Sequence, residues 1–75
     1  MTSRAALARN LRSLRTSKDM SQEELAHRAG IDRTYVSALE RQIYSASVDV
    51  LDSLAKVFAV RPADLIDEDF SIDRA

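Results

Sequence analysis

The sequence contains no cysteine and a single histidine, His27. Without cysteine the chain can form neither a disulfide framework nor a thiolate metal site, and one histidine cannot hold a zinc ion by itself. We therefore expect no metal and no cofactor. The absence of cysteine also suits a reducing cytoplasm, where we expect the protein to act.

A long apolar run is also missing, and the N-terminal segment carries Arg4 and Arg9 in a pattern interrupted by polar residues. A membrane-spanning helix needs about 20 mainly apolar residues, and a signal peptide needs an apolar centre of about 7–15. We expect neither of them, and no membrane partner. A chain of 75 residues has room for one domain with one small core.

The sequence also lacks the combinations of residues that are typical of catalytic sites. With one histidine and no Gly-x-Ser-x-Gly turn, a nucleophilic triad has no support. Carboxylates do occur together, as in Glu23 and Glu24 or in residues 67–69, but they are adjacent in sequence and do not share a helix face. The sequence therefore predicts no enzyme, and it indicates no small-molecule ligand.

Glycine is scarce, and the only one, Gly30, lies between two helix-start signals. Ser21 is followed three residues later by a glutamate, the form of a capping box, so a helix begins just after it. Gly30 can end that helix in a left-handed conformation, and Asp32 offers an N-cap for a second helix over residues 33–41. This stretch predicts a helix-turn-helix, whose second helix normally lies in the DNA major groove.

The apolar residues of each predicted helix share one face, so the two helices can pack on each other. Leu25 marks that face on the first helix, and Val36 and Leu39 mark it on the second. The opposite face of the second helix can lie close to another surface, because it carries small residues and hydrogen-bond donors: Arg33, Thr34, Ser37, Ala38 and Arg41.

Five short motifs in register resemble the XRE, or lambda-repressor-like, helix-turn-helix regulators: Ser21-Gln22, Leu25-Ala26, Ala29-Gly30-Ile31, Val36-Ser37 and Leu39-Glu40-Arg41. The resemblance runs from about residue 7 to residue 66. It implies an all-α, compact five-helix domain with the helix-turn-helix at helices 2 and 3. It also implies a transcriptional regulator that binds double-stranded DNA, at a two-fold symmetric operator, as a homodimer. Residues 32–37 further resemble the recognition helix of restriction-modification controller proteins.

The remaining residues predict three more helices around the motif. A first helix is expected over residues 3–18, with Ser3 as a candidate cap. A fourth is expected from residue 48 to about residue 59 after the cap Ser47, and a short fifth from Pro62 to residue 66.

We expect residues 1–67 to form the DNA-binding domain and residues 68–75 to form an acidic C-terminal tail. Phe70 and Ile72 are the only sizeable apolar residues at this end of the chain. The tail is expected to be mobile unless these two side chains dock on a neighbour.

Charge is distributed unequally, although the formal net charge is only −1. Residues 1–41 hold eight basic against five acidic residues, a balance of +3, whereas residues 42–75 hold three against seven, a balance of −4. The basic half contains the predicted recognition helix, so a positive field would meet DNA phosphates there. The alternative is that both halves are ordinary solvated surfaces.

Two connections depart from the family pattern. Asp19 stands where the family commonly has glycine, and aspartate tolerates a left-handed conformation. In the loop after the recognition helix, Gln42 and Ala46 replace the usual glycine and proline, so the backbone there is less restricted. Ile43 and Tyr44 in this loop either cover the core from outside or contact a partner or a phosphate, and both interpretations stay open.

The resemblance also assigns DNA contacts to individual residues. Arginine suits the two acceptors of guanine, and the methyl group of threonine suits thymine. The candidates for base contacts are Arg33, Thr34, Ser37 and Ala38. The candidates for contacts to the DNA backbone, which set register without reading sequence, are Ser21, Gln22, Tyr35, Arg41, Gln42, Ser45 and Ser47.

Two further groups of residues have predicted roles. The first helix carries a stripe of leucines on one face, at Leu7, Leu11 and Leu14. Arg15 lies beside this stripe and Glu40 beside the apolar face of the recognition helix, so the two should meet as a partly buried structural ion pair, as the resemblance also implies. Apolar residues left over by the core predict a symmetric dimer interface, unless they only seal that core: Val50, Val57, Val60 and Leu65.

Two other functions stay open at this level. The first is the antitoxin of a toxin–antitoxin pair, in which the acidic tail would neutralise a protein. The second is a protein-interaction module that no longer binds DNA, which the negative net charge and the two altered loop residues would allow.

Overall fold

The computed structural model describes residues 1–72, and within them the chain forms five helices and no strand. The helices are α1 (Ser3–Ser17), α2 (Gln22–Ala29), α3 (Arg33–Glu40), α4 (Val48–Phe58) and α5 (Pro62–Leu65). α2 packs against both α3 and α4, and α1 packs against α3 and α5. The prediction of an all-α, five-helix domain with a helix-turn-helix at α2 and α3 is confirmed. No helix in this part of the chain is both long and apolar enough to cross a membrane.

The first four helices each begin at a side chain that accepts a hydrogen bond from the backbone. At α1 this residue is Thr2, whose Oγ1 accepts from the Ala5 amide at 3.1 Å. The prediction of Ser3 as the cap is wrong, because Ser3 is already the first helical residue. At the next three helices the predicted residues are the caps: Ser21, Asp32 and Ser47.

The capping box predicted at α2 is only half formed. Ser21 Oγ accepts a hydrogen bond from the Glu24 amide at 3.0 Å, but the Glu24 carboxylate forms an ion pair with Arg28, one turn further along. Pairs with this order and spacing stabilise helices themselves. The start of α2 therefore depends on the serine alone.

Four helices end in the same way, with a left-handed residue directly after the last turn. In each, the amide of that residue and the amide of the next one donate to carbonyl groups of the last turn, which is a Schellman motif. Asp19 (φ 52°) and Gly30 (φ 72°) occupy this position after α1 and α2, as predicted. After α3 and α4 the position is filled by Gln42 (φ 63°) and Ala59 (φ 56°), for which this conformation is costly.

The core receives one fully buried leucine from every helix. Leu11, Leu25, Leu39, Leu54 and Leu65 each have an exposed fraction of 0%. Leu65 is the apolar end of the single-turn helix α5, which packs between α1 and α4. The prediction that Leu65 faces a second protomer is therefore wrong.

The segment after α5 packs on α1. The buried Asn10 donates through Nδ2 to the Asp67 carbonyl at 2.9 Å, and Arg9 Nη2 donates to the same carbonyl at 3.3 Å. Phe70 is 8% exposed and joins the core. Of the two apolar side chains expected to hold this segment, Phe70 is docked in the core and Ile72 is exposed. The start of the acidic segment is therefore held by Phe70, and the expected tail residues 73–75 lie outside the described chain.

Candidate nucleic-acid interface

α3 presents a narrow polar face to solvent. Arg33 and Thr34 are exposed in its first turn, Ser37 is half-buried one turn later, and Arg41 is exposed at its end. At about 100° of rotation per residue, these four positions fall within an arc of about 100° on the helix surface. This face offers two guanidinium groups and two hydroxyl groups, and no acid.

Ala38 does not belong to this face, because it is only 5% exposed. It lies about 40° beyond Thr34 on the helix surface. The chain also folds back at this point, since the Ile43 amide donates to the Ala38 carbonyl at 2.9 Å. Residues at these two positions of a Schellman motif commonly make an apolar contact. The prediction of a base contact for Ala38 is wrong.

Thr34 is bound to the N-cap of its own helix. Its amide donates to Asp32 Oδ1 at 2.8 Å, and its hydroxyl donates to the same oxygen at 2.6 Å. These two bonds, the hydroxyl first, lower the pKa of Asp32, with a smaller contribution from the charge of Arg33. Because the hydroxyl proton is directed at the carboxylate, Thr34 offers an approaching surface its methyl group and an acceptor oxygen.

Beneath the exposed face, Glu40 joins α3 to α1 and α2. Arg15 donates to both carboxylate oxygens of Glu40, from Nε at 2.8 Å and from Nη2 at 2.9 Å, and Gln22 Nε2 donates to Oε1 at 3.1 Å. Glu40 is 3% exposed. The hydrogen bond from Arg15 to Glu40 raises the pKa of Arg15, against the opposing effect of burial. The structure thus brings the predicted pair together in bidentate geometry, which fixes the orientation of the two groups as well as their distance.

Arg12 is part of the same network and was not predicted. Its Nη2 donates to the backbone carbonyl of Glu40 at 3.0 Å, and its Nε lies 3.7 Å from Oε1 of that residue. A cation that binds the last carbonyl groups of a helix satisfies acceptors that the helix itself leaves free. The sequence feature that could have predicted this contact is the position of Arg12, one turn before Arg15 on the side of α1 that faces α3.

The loop after α3 brings two predicted backbone contacts together. The Tyr35 hydroxyl donates to the Ser45 carbonyl at 3.3 Å. The Tyr44 ring meets the Tyr35 ring edge to face, with 6.1 Å between the centroids and an interplanar angle of 85°. Gln42 and Ser45 are exposed beside them.

The other candidates for backbone contacts have different surroundings. Ser21 and Ser47 use their oxygen atoms as helix caps, but a capping hydroxyl keeps its proton to donate. Gln22 is half-buried with one amide proton directed at Glu40, so it braces α3. Arg41 is exposed, with Nε 3.4 Å from the Ser37 carbonyl.

Three of the four predicted dimer residues are partly exposed. Val50, Val57 and Val60 pack against the core and keep part of their surface in solvent. They lie on α4 and in the connection after it, whereas the exposed arginines lie on α3. The fourth, Leu65, belongs to the core, as described above.

A helix-turn-helix family model matches residues 11–65, which include the whole of α2, α3 and α4. The chain belongs to the helix-turn-helix family of DNA-binding regulators. This is a family of regulators rather than of enzymes.

Two named relatives support this membership. A hypothetical transcription factor of Neisseria meningitidis serogroup B is 43% identical over 63 residues, which are 84% of this chain and 59% of the relative. This chain thus spans about three fifths of the length of that relative. Control protein C.BamHI of Bacillus amyloliquefaciens is 38% identical over 65 residues, which are 85% of this chain and 80% of the relative.

A solved structure gives the same result for the fold. The restriction-modification controller protein C.AhdI of Aeromonas hydrophila has a TM-score of 0.78 and 37% identity. The match covers 83% of this chain and 94% of that protein. The resemblance to controller proteins therefore extends well beyond the recognition helix.

Proposed function

We propose that this helix-turn-helix protein binds a two-fold symmetric operator as a homodimer, acts by occupying it, and works in the cytoplasm on nucleoid DNA. The observation that carries the proposal is the exposed polar face of α3, which lies over a buried network fixing the angle of that helix. A polar helix face held rigidly by Glu40 and its partners is suited to enter a major groove in one orientation.

Arg33 and Thr34 are the proposed base-reading residues, with Ser37 further along the same face. Arg33 is exposed in the first turn of α3, where side chains of a recognition helix reach base edges. A guanidinium group can donate to both acceptors of guanine. The orientation of Thr34 by Asp32 favours a methyl contact with thymine over donation of a hydrogen bond to a base.

The proposed phosphate contacts surround this face. Arg41, Gln42 and Ser45 lie at the C-terminal end of α3 and in the loop after it, and all three are exposed. Such contacts position the protein and make its affinity depend on salt. The remaining members of this set are Ser21, Gln22, Tyr35 and Ser47.

The small contact that one recognition helix can make with DNA supports the proposed homodimer. One module of this kind presents one short helix, whereas two recognition helices spaced about 34 Å apart read successive major grooves and make the second contact intramolecular. The partly exposed Val50, Val57 and Val60 are the proposed interface, in which each patch meets its own copy.

In a sedimentation experiment, Val57→Asp should give a folded monomer with weakened DNA binding, and an unaltered dimer would exclude this interface.

Selection from a random duplex library tests the proposal. Wild-type protein should enrich a sequence with two-fold symmetry, and the binding should weaken steeply between about 50 and 200 mM salt. Arg33→Ala should cost about 1–3 kcal/mol and relax one position of each half-site, whereas Arg41→Ala should weaken binding to all sequences alike. Enrichment of no sequence would remove the proposal.

The similarity to C.BamHI and C.AhdI favours a narrower role, control of a restriction-modification system. A gene for a restriction endonuclease or a methyltransferase beside this one, with the selected sequence upstream, would support that role. In the antitoxin alternative the acidic tail would neutralise a protein, and Phe70 at the start of that tail is docked in the core. A pure interaction module would fail the selection experiment.

A further inference from the structure

The loop after α3 lacks the two residues that normally restrict such a connection. Its left-handed position is filled by Gln42 at φ 63°, and Ala46 stands where a proline would fix the backbone before α4. Residues 43–46 make only one backbone hydrogen bond back to a helix among those described, from the Ile43 amide to Ala38. Some other contact must hold the loop if Gln42 and Ser45 are to meet phosphates in a fixed geometry.

That contact is made by two tyrosines. Tyr35 is half-buried on α3 and packs against the core, so it is a fixed point. Its hydroxyl binds the Ser45 carbonyl, and the Tyr44 ring meets its ring edge to face at 6.1 Å. Edge-to-face pairs at this distance are favourable beyond the area they bury. The loop is therefore tied to α3 at both Tyr44 and Ser45.

We propose that Tyr44 is a positioning residue for DNA binding: its ring, packed on Tyr35, orders the loop that carries Gln42 and Ser45. This rests on the proposed function, because the ordered loop is the part that would contact phosphates. Tyr44 itself stays 58% exposed, so its role is to hold the loop and not to fill the core.

The size of the effect follows from the strength of the ring contact. If only a fraction of molecules has the loop in its binding geometry, the dissociation constant rises by the inverse of that fraction. The energy of an aromatic pair corresponds to a factor of about 2–12 for each loop. A dimer that uses both loops would lose up to the square of that factor.

Three variants separate this role from its rivals. Tyr44→Ala removes the ring, Tyr44→Phe removes only the hydroxyl, and Ile43→Ala removes a neighbouring apolar side chain of similar exposure, 55%. For each, we would measure the Tyr35 ring-proton shifts and the hydrogen exchange of the backbone amide at position 43 in the free protein. Affinity would then be measured for the duplex selected by the wild type and for a random-sequence duplex, alongside the melting temperature.

Tyr44→Ala should shift the Tyr35 ring signals, speed up exchange at Ile43 and weaken both duplexes by the same factor, while the melting temperature changes by a few degrees at most. Tyr44→Phe and Ile43→Ala should keep wild-type affinity. Tyr44→Phe keeps the ring and removes only the hydroxyl. Wild-type affinity in this variant, beside weakened binding in Tyr44→Ala, would therefore assign the effect to the ring.

Several results would overturn the proposal. Equal weakening by Tyr44→Phe would mean that the hydroxyl contacts DNA directly, and equal weakening by Ile43→Ala would mean that the loop needs apolar cover rather than the ring pair. Unchanged affinity in Tyr44→Ala would remove the role altogether. If the wild type selects no duplex, the proposed function fails and the phosphate role fails with it, whereas the exchange data still show whether the ring pair orders the loop.

Discussion

Ala59 ends α4 in a left-handed conformation, and replacing it with glycine should stabilise the protein. Its φ of 56° is one that an L-residue with a Cβ atom adopts at a cost of about 1–2 kcal/mol, whereas glycine adopts it freely. Ala59 is exposed, so the loss of its methyl group removes no packing. The substitution changes backbone strain and almost nothing else.

The expected magnitude is a difference between two opposing effects. Relief of the strain gains about 1–2 kcal/mol, and the greater freedom of glycine in the unfolded chain takes back about 0.4–1 kcal/mol. The midpoints of these two ranges leave a net gain of about 0.8 kcal/mol. For a domain of this size that raises the melting temperature by about 2–8 °C.

Gly30 allows the reverse experiment in the same molecule. An added Cβ at Gly30 would have no atom within 4 Å, so Gly30→Ala imposes only the backbone cost at φ 72°. We expect Gly30→Ala to lower the melting temperature by an amount similar to the gain from Ala59→Gly. The two substitutions exchange the same pair of residues at equivalent positions and should have opposite signs.

Thermal unfolding followed by circular dichroism measures both effects, and Ala63→Gly is the matched control. Ala63 is also exposed and lies four residues further on, inside α5, where glycine should destabilise by about 0.5–1 kcal/mol. If Ala59→Gly lowered the melting temperature, or if Ala63→Gly raised it equally, strain at the end of α4 would not be the explanation.

Three further substitutions test the network, the docked segment and the N-cap. Glu40→Ala leaves the guanidinium of Arg15 without its partner and should destabilise by about 3–5 kcal/mol in denaturant unfolding, whereas a change of the exposed Glu23 to Ala should cost less than about 0.5 kcal/mol. Phe70→Ala should cost about 3 kcal/mol, and a value near zero would mean that the segment is not part of the core. Folding lowers the pKa of Asp32. The ionised carboxylate therefore stabilises the folded protein at pH values above the ordinary carboxyl pKa of about 4, and this stabilisation is lost as the pH falls through the lowered pKa of the folded state. Asp32→Asn keeps a capping oxygen but removes the charge. The melting temperature of this variant should therefore lie below that of the wild type at neutral pH and approach it in acid, and a constant difference would contradict the assignment.

Local chemistry made the helix-turn-helix predictable. Ser21 and Asp32 each sit one residue before a helix and bind its first amides, and Gly30 is the residue that most readily adopts the turn between the two helices. Each signal lies within three residues of the bond that it forms. Such features can be read from sequence without knowing what lies elsewhere in the fold.

The errors occur where a neighbour distant in sequence decides the outcome. Ala38 and Leu65 are both buried, at 5% and 0% exposed, and the helix that carries Leu65 packs between α1 and α4, which lie elsewhere in the sequence. Phe70 had no local pattern to place it, because its position depends on hydrogen bonds from Asn10 to carbonyl groups more than fifty residues away. Ala59 carries no signal at all for a left-handed residue. Helical phase and composition contain none of this information.

The roles of the acidic residues explain how a chain with net charge −1 presents a positive face. On α3 and its cap the only acids are Asp32 and Glu40, and both are bound within the protein, one by Thr34 and the other by Arg15. Arg33 and Arg41 have no carboxylate within ion-pair distance in the described chain. A net charge therefore says little about the field at this surface. What decides the field is that the acids of the recognition helix serve as a cap and as a brace, while its arginines remain available to an anionic partner.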